Sequence, residues 1–237
     1  MEAIKFKNTL LSALDPEVIA RLRLSPARFE LKFEMEYPDR AIRHLFFLES
    51  GMASMTATFQ DGSQVEVSTF GFESVIGVSA LMGAKKSMNR VYIQIAGHGY
   101  ACPIEAARKE FSLAGSFQCL ALRYVQVQLD QATQYIGCNA KHTFEPRLAR
   151  WLLTCADRSH SDTFKMSHEL LADMLGGTRA TVSLAAGSLK RKGLIQYTRG
   201  VINILDPAGL EENACECYQI IKSYLRNRSE FDTQIAE

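Results

Sequence analysis

The residues best equipped for chemistry lie between Ser167 and Lys192, and the chemistry they suit is recognition of a nucleic acid. Ser167, Thr178, Thr181 and Ser183 supply short hydroxyls, Arg179 a guanidinium, and Lys190-Arg191-Lys192 a basic cluster. A guanidinium presents paired donors that match phosphate oxygens or the O6/N7 edge of guanine, and hydroxyls serve phosphate or base edges alike. Ala180 and Leu184 are apolar and of a size to pack on thymine methyl groups, burial against a neighbouring helix being the alternative for Leu184. Arg199, in a Thr-Arg-Gly turn further along, is placed to meet phosphate.

These side chains need a scaffold that presents them together. Leu170, Leu171, Met174 and Leu175 form one apolar stripe on a short helix, with Ser167 as its N-cap and Gly176-Gly177 as its break. Thr178 caps a second helix that turns Val182, Ala185, Ala186 and Leu189 toward the first and stops at Gly193. The pattern predicts a helix-turn-helix, whose second helix enters a major groove. Strand-like stretches at 194–197 and 201–204, on either side of the Thr-Arg-Gly turn, predict a β-hairpin wing.

Charge follows the same division. The 237-residue chain carries 27 Lys and Arg against 26 Asp and Glu, a net +1. Residues 138–210 hold ten basic side chains against six acidic, and the tail from 211 holds three against six. Positive charge thus gathers where phosphate would have to be neutralised. A 47% hydrophobic and 22% charged content suits a globular protein with room for two cores, and no run approaches the roughly 20 apolar residues of a membrane span. The N-terminal stretch lacks an apolar leader core, which with six widely spaced cysteines predicts a cytoplasmic protein with reduced thiols.

Upstream, the hydrophobic period shortens. Phe29, Leu31, Phe33, Met35 and Tyr37 alternate with polar residues, which predicts one strand over 28–37 with a buried face. Further strands are predicted at 44–48, 52–59, 64–70 and 91–96, punctuated by Gly51, Asp61-Gly62 and Gly71, and Gly97-His98-Gly99 reads as a strand-end turn. Closely spaced strands of this kind predict a sandwich or jelly roll. Beyond Pro103 the pattern turns helical, and residues 116–136 read as one long helix. Phe117, Leu120, Tyr124 and Val127 form a seam along it able to pair with a second copy, packing on the chain's own β domain being the alternative. Gly137-Cys138-Asn139 reads as a hinge before Glu145-Pro146 opens the next helix at 147–156. The class is α+β: a jelly-roll-like β domain at 1–115, a candidate dimerisation helix and hinge at 116–137, a winged helix-turn-helix at 138–210 and an acidic helical tail at 211–237.

This order of parts, with PRLARWLLTCADR at 146–158 and SHELLADMLGGTRATVSLAAGSLKRKGLI at 167–195, resembles the cyclic-AMP receptor and fumarate–nitrate regulator (Crp/Fnr) superfamily of bacterial transcription factors. The resemblance covers nearly the whole chain, and ILDPAGLEENACECY is similar to the tail of a branch with no assigned effector. It implies a cyclic-nucleotide-binding-like β-roll and a homodimer with two winged helix-turn-helices on a two-fold-symmetric operator, half-sites lying about 34 Å apart. RNA polymerase is a further partner it implies, and a membrane is not. It places the effector cassette at Gly77, Val78, Lys85, Lys86 and Arg90. Nucleotide-binding members hold the ribose hydroxyl with an acid after the glycine and clamp the cyclic phosphate with an Arg-Ser or Arg-Thr pair. Here Val78 replaces the acid, the pair falls near Met88-Asn89, and Arg90 is displaced. An effector other than cyclic AMP is therefore expected, with Lys85, Lys86 and Arg90 either holding a different anion or forming a solvated loop. Many members also carry glutamate and arginine where Ala180 and Leu184 stand, so their operator sequence does not transfer.

The iron–sulfur sensors of that superfamily use an N-terminal cysteine cluster, whereas the first cysteine here is Cys102. Cys215-x-Cys217 supplies two soft donors, but a tetrahedral site needs Cys138, Cys155 or a histidine besides, so no metal or other cofactor is assigned from sequence. His168-Glu169 begins like a zinc-protease HExxH, but Ala172 stands where the second histidine belongs. Residues 77–85 put five residues between glycines where a P-loop has four. No nucleophile–base pair emerges, and an enzyme is not expected. The sequence reads as a dimeric DNA-binding regulator, the alternative being a small-molecule or redox sensor whose winged domain serves protein contacts.

Overall fold

The computed structural model describes residues 5–231, with side chains for 5–225, and the chain divides into two compact units. Among the described residues, one is built from 5–55, 69–130 and 225–231, the other from 56–68 and 131–224. Helices α1 (Thr9–Ser12) and α2 (Pro16–Leu22) lead into strands β1 (Ser25–Phe29), β2 (Glu34–Glu36), β3 (His44–Leu48), β4 (Met52–Thr58), β5 (Gln64–Phe70) and β6 (Val75–Ile76). A 3-10 turn at Val78–Met82 precedes β7 (Arg90–Ile95), β8 (Gly97–Pro103), α3 (Ile104–Phe111) and the long α4 (Ser116–Lys141). Then come α5 (Phe144–Ser159), β9 (Thr163–Lys165), α6 (His168–Leu175), α7 (Arg179–Arg191), β10 (Ile195–Thr198), β11 (Val201–Ile204), α8 (Pro207–Glu212) and α9 (Cys217–Phe231). Among the described residues no helix is long and apolar enough to cross a membrane.

Strands β1 to β8 form two four-stranded sheets, ordered β1-β8-β3-β6 and β2-β7-β4-β5. Phe29, Leu45 and Phe47 of the first and Ala53, Phe70, Val91 and Ile93 of the second share one apolar core. The alternating run over 28–37 is two strands rather than one. Lys32 takes a left-handed φ of +66° between β1 and β2, and the chain changes sheet there, which leaves Leu31, Phe33 and Tyr37 exposed while Phe29 and Met35 stay buried. Gly97 and Gly99 lie inside β8 and not in a turn. A side chain at either would collide with the carbonyl of Ser50 or Phe47 on the adjoining segment, so the close approach of β3 demands glycine.

The long helix also departs from expectation. It continues to Lys141, so Gly137-Cys138-Asn139 is helical and the break falls at His142-Thr143, with α5 starting at Phe144. A lone glycine costs a helix only about 1 kcal/mol against alanine, too little to end one with buried neighbours. Phe117, Leu120 and Tyr124, expected at a dimer seam, are buried in the chain's own β-roll core, and Val127 is half-buried. The exposed row is different: Cys119, Leu122, Gln126, Leu129, Thr133, Ile136 and Ala140 recur at alternating steps of three and four residues.

In the second unit a three-stranded sheet, ordered β10-β11-β9, packs with α5, α6 and α7. The short β9, absent from the sequence reading, pairs with β11. Trp151 of α5 is fully buried and donates its Nε1–H to Glu66 Oε1 at 2.9 Å.

Candidate nucleic-acid interface

Local capping sets the two helices that carry the interface. Ser167 Oγ accepts the Leu170 N–H at 3.2 Å, and Gly176 closes α6 in a left-handed conformation at φ +61°. Thr178 Oγ1 accepts the Thr181 N–H at 3.2 Å and starts α7. Each cap contributes about 1 kcal/mol, and together they fix the angle at which α7 leaves the turn. Arg147, buried in α5, donates to the Leu175 carbonyl and satisfies the end of α6. Leu171, Met174 and Leu175 then bury with Val182, Ala185, Ala186 and Leu189. The opposite face of α7 is left to solvent: Arg179, Ala180 and Ser183 are exposed, Thr181 is half-buried, and Leu184 is 75% exposed and so points outward.

The wing closes with two residues. Arg199 and Gly200 have φ +50° and +75°, a type I′ geometry that pairs Thr198 with Val201 and puts Arg199 at the tip. At its base Tyr197 donates its hydroxyl to the Met166 carbonyl at 2.8 Å and packs its ring 4.8 Å from that of His168. His168 Nδ1 lies 3.0 Å from Ser183 Oγ on α7. The result is one concave surface lined by Ser167, His168, Glu169, Arg179, Tyr197, Arg199 and Gly200.

Arg179 is presented by a partner that the sequence did not single out. Its Nη2 lies 2.9 Å from Glu169 Oε1. The Glu169 carboxyl is held below its ordinary range, first by its own backbone N–H and then by Arg179 and Ser167. Both side chains are more than half exposed, so solvent screens the pair and it opens readily for an anion. Lys190, Arg191 and Lys192 of the basic cluster are all exposed, and Lys192 Nζ donates to Glu145 and Asn213, each at 2.7 Å.

The effector cassette is less converged. Gly77 takes φ +92° with the His44 carbonyl where a side chain would stand, Val78 is buried, and Lys85 and Lys86 are exposed. Arg90 is engaged by Glu34 at 2.7 Å and lies 4.6 Å over the Tyr92 ring. The structure adds Glu36, a buried acid that accepts from Ser87 Oγ at 2.5 Å and from the Gly77 N–H. Burial, outweighing these hydrogen bonds, raises its carboxyl above the usual range. A raised folded value means the group stabilises the fold at low pH, and that stability is lost as pH rises through the folded value. Glu36→Gln keeps an oxygen acceptor and removes the charge, so it is expected to raise the melting temperature at pH 7, with the gain shrinking toward pH 4. An unchanged or lower melting temperature at pH 7 would place the burial cost elsewhere.

Residues 146–213 match the Crp-like helix-turn-helix domain. Over 193 residues, 77% of this chain and 86% of the relative, the chain is 26% identical to a global nitrogen regulator of a Nostoc species. Its fold is that of a Crp/Fnr-family transcriptional regulator from Eubacterium rectale, with TM-score 0.69 and 16% identity over 86% of this chain and 96% of the other. It is similar also to a CRP-family regulator from Thermus thermophilus, with TM-score 0.66 and 24% identity over 79% and 96%. Residues 146–213 thus form a Crp-like helix-turn-helix domain, with α6 and α7 as its two helices, and the chain has the fold of Crp/Fnr-family transcription regulators.

Proposed function

We propose that the protein is a homodimer that reads a two-fold-symmetric DNA site through α7 and the wing, under control of an effector other than cyclic AMP. The observation that carries this reading is the placement of Arg179 and Arg199 on one concave surface, with the hydroxyls of Ser167 beside them and of Thr178, Thr181 and Ser183 along α7. Arg179, at the N-terminal end of the second helix, meets guanine, while Ser167, Thr178 and Arg199 take phosphates. Ala180 and Leu184 offer apolar contact to thymine methyl groups. The division of labour runs along the chain: residues 1–115 sense, α4 dimerises through its exposed row, and 138–210 bind DNA and, through that role, engage RNA polymerase. Fluorescence anisotropy on promoter duplexes at graded salt is the test. Specific duplex is expected to bind more tightly than random duplex, with log affinity falling linearly in log salt; absence of binding to any promoter fragment at low salt would overturn the reading.

Cyclic AMP is expected neither to bind nor to change DNA affinity. Val78 cannot accept a ribose hydroxyl proton, Arg90 is engaged by Glu34, and Glu36 puts a buried acid against the Gly77 N–H. Micromolar binding by calorimetry, or a nucleotide-driven gain in DNA affinity, would contradict this.

A further inference from the structure

The strongest unassigned chemistry lies where the end of α4 meets the tail, wholly within the second unit. Cys138 sits in the last turns of α4, and the His142 N–H donates to the Cys138 carbonyl at 3.0 Å, so the helical repeat sets both side chains on one face. Across from them stand Cys215 and Cys217 at the start of α9, anchored by the Cys215 N–H on the Pro146 carbonyl at 3.3 Å. The three sulfurs and one ring nitrogen all lie within 4.8 Å of one another. Cys138 Sγ is 3.5 Å from Cys215 Sγ, and Cys217 Sγ is 3.7 Å from His142 Nδ1. A tetrahedral ion with sulfur at about 2.3 Å and nitrogen at about 2.0 Å has ligand-to-ligand edges of roughly 3.5–3.8 Å. Two of the edges are already at that length.

The surroundings are those of a metal site as well. His142 Nε2 lies 3.1 Å from the Glu216 carboxylate, which fixes the proton on Nε2 and leaves the Nδ1 lone pair for a ligand bond. Gln134 Nε2 donates toward Cys217 Sγ at 3.1 Å, a contact that favours a thiolate. All three cysteines are buried, which protects such a bond from water. Arg150 of α5 is 3% exposed; its Nε and Nη1 have no hydrogen-bond partner among the described residues, and against the cost of burial its charge is favoured by Tyr135, then Cys138, Glu66 and Cys215. A buried guanidinium short of acceptors is costly by itself. Three thiolates and one divalent ion carry a net single negative charge, the complement to that cation.

We propose that Cys138, His142, Cys215 and Cys217 form a Cys3His site for a zinc-class divalent ion, which clasps the tail to the end of the long helix. Three soft sulfurs with one imidazole exclude magnesium and calcium by ligand type, and a full set of four protein ligands makes the site structural rather than catalytic. The ligands sit 77 residues apart in sequence, before and after the whole winged helix-turn-helix. Metal binding would therefore close that domain into a loop and add its binding free energy to the domain's stability.

The test uses the full chain purified under reductant without added metal, and none of its readouts involves DNA. One equivalent of zinc per chain is expected by mass spectrometry of metals. Cobalt substitution should give the intense visible bands and thiolate charge transfer of a tetrahedral sulfur site. Removal by a chelator should lower the melting temperature, and zinc should restore it. Cys217→Ser and His142→Ala should lose the ion, while Cys119→Ser and Cys155→Ser keep it. Glu216→Gln, exposed and so safe for folding, should weaken metal affinity about 10–100-fold through the histidine alone. A reduced, folded protein that takes up no zinc, an octahedral cobalt spectrum, or equal metal loss in the Cys119 and Cys217 variants would each overturn the proposal. So would a Cys138–Cys215 disulfide that, once reduced, still leaves the chain unable to bind zinc.

Discussion

Leu129→Glu combined with Ile136→Glu is expected to convert the proposed dimer to monomers and to weaken operator binding by about 10²–10⁴-fold, the avidity lost when a second, tethered binding event becomes independent. These side chains are 59% and 69% exposed and lie seven residues apart on the outer face of α4, in the row that begins at Cys119 and Leu122. A row repeating every three and four residues is the pattern that two-fold helix pairing buries. Two glutamates per chain put four like charges into such a seam. Neither position belongs to the core, so the monomer should keep its helix content and melting behaviour. Leu120→Glu is the contrast: at 9% exposed it belongs to the β-roll core, and its replacement should unfold the first unit. Light scattering and anisotropy on the same samples check both statements. A double variant that stays dimeric places the interface elsewhere.

Arg179→Ala is expected to cost about 1–3 kcal/mol, several-fold to a hundred-fold in affinity, on the specific site, and far less on random duplex. Its position one residue after the Thr178 cap puts Arg179 at the N-terminal end of α7, the part of a recognition helix expected to reach base edges, where it pairs with Glu169. Arg179→Lys keeps the charge and loses the fork, so it should retain random binding and still lose the specific increment. Equal losses on both duplexes would make Arg179 a phosphate contact.

The parts of this structure legible in the sequence are those whose signals are local. Ser167, Thr178 and Gly193 mark the ends of α6 and α7 because caps act within one turn of chain, and Arg199-Gly200 marks the wing because a two-residue turn needs left-handed residues. The misreadings arise where a side chain's fate is decided at a distance. Alternation over 28–37 is the same for one strand as for two that leave a turn in different sheets, and only the pairing of β1 with β8 and β2 with β7 separates them. Helix α4 carries two apolar faces, and periodicity does not tell which one a β-roll will claim: Phe117, Leu120 and Tyr124 went inward, Leu122, Leu129 and Ile136 did not. The sequence offered Cys138, Cys155 or a histidine beside the Cys-x-Cys pair without choosing among them, because Cys138 is brought to Cys215 from a helix end 77 residues away.

Trp151 gives the molecule its own optical probe. It is the chain's single tryptophan, fully buried in α5, and its indole N–H is held by Glu66 in the 56–68 segment. An indole in that setting emits at short wavelength, and loss of the hydrogen bond or entry of water shifts the emission to the red. Intrinsic fluorescence therefore reports on one contact in the DNA-binding unit, without a label and without background from any other indole.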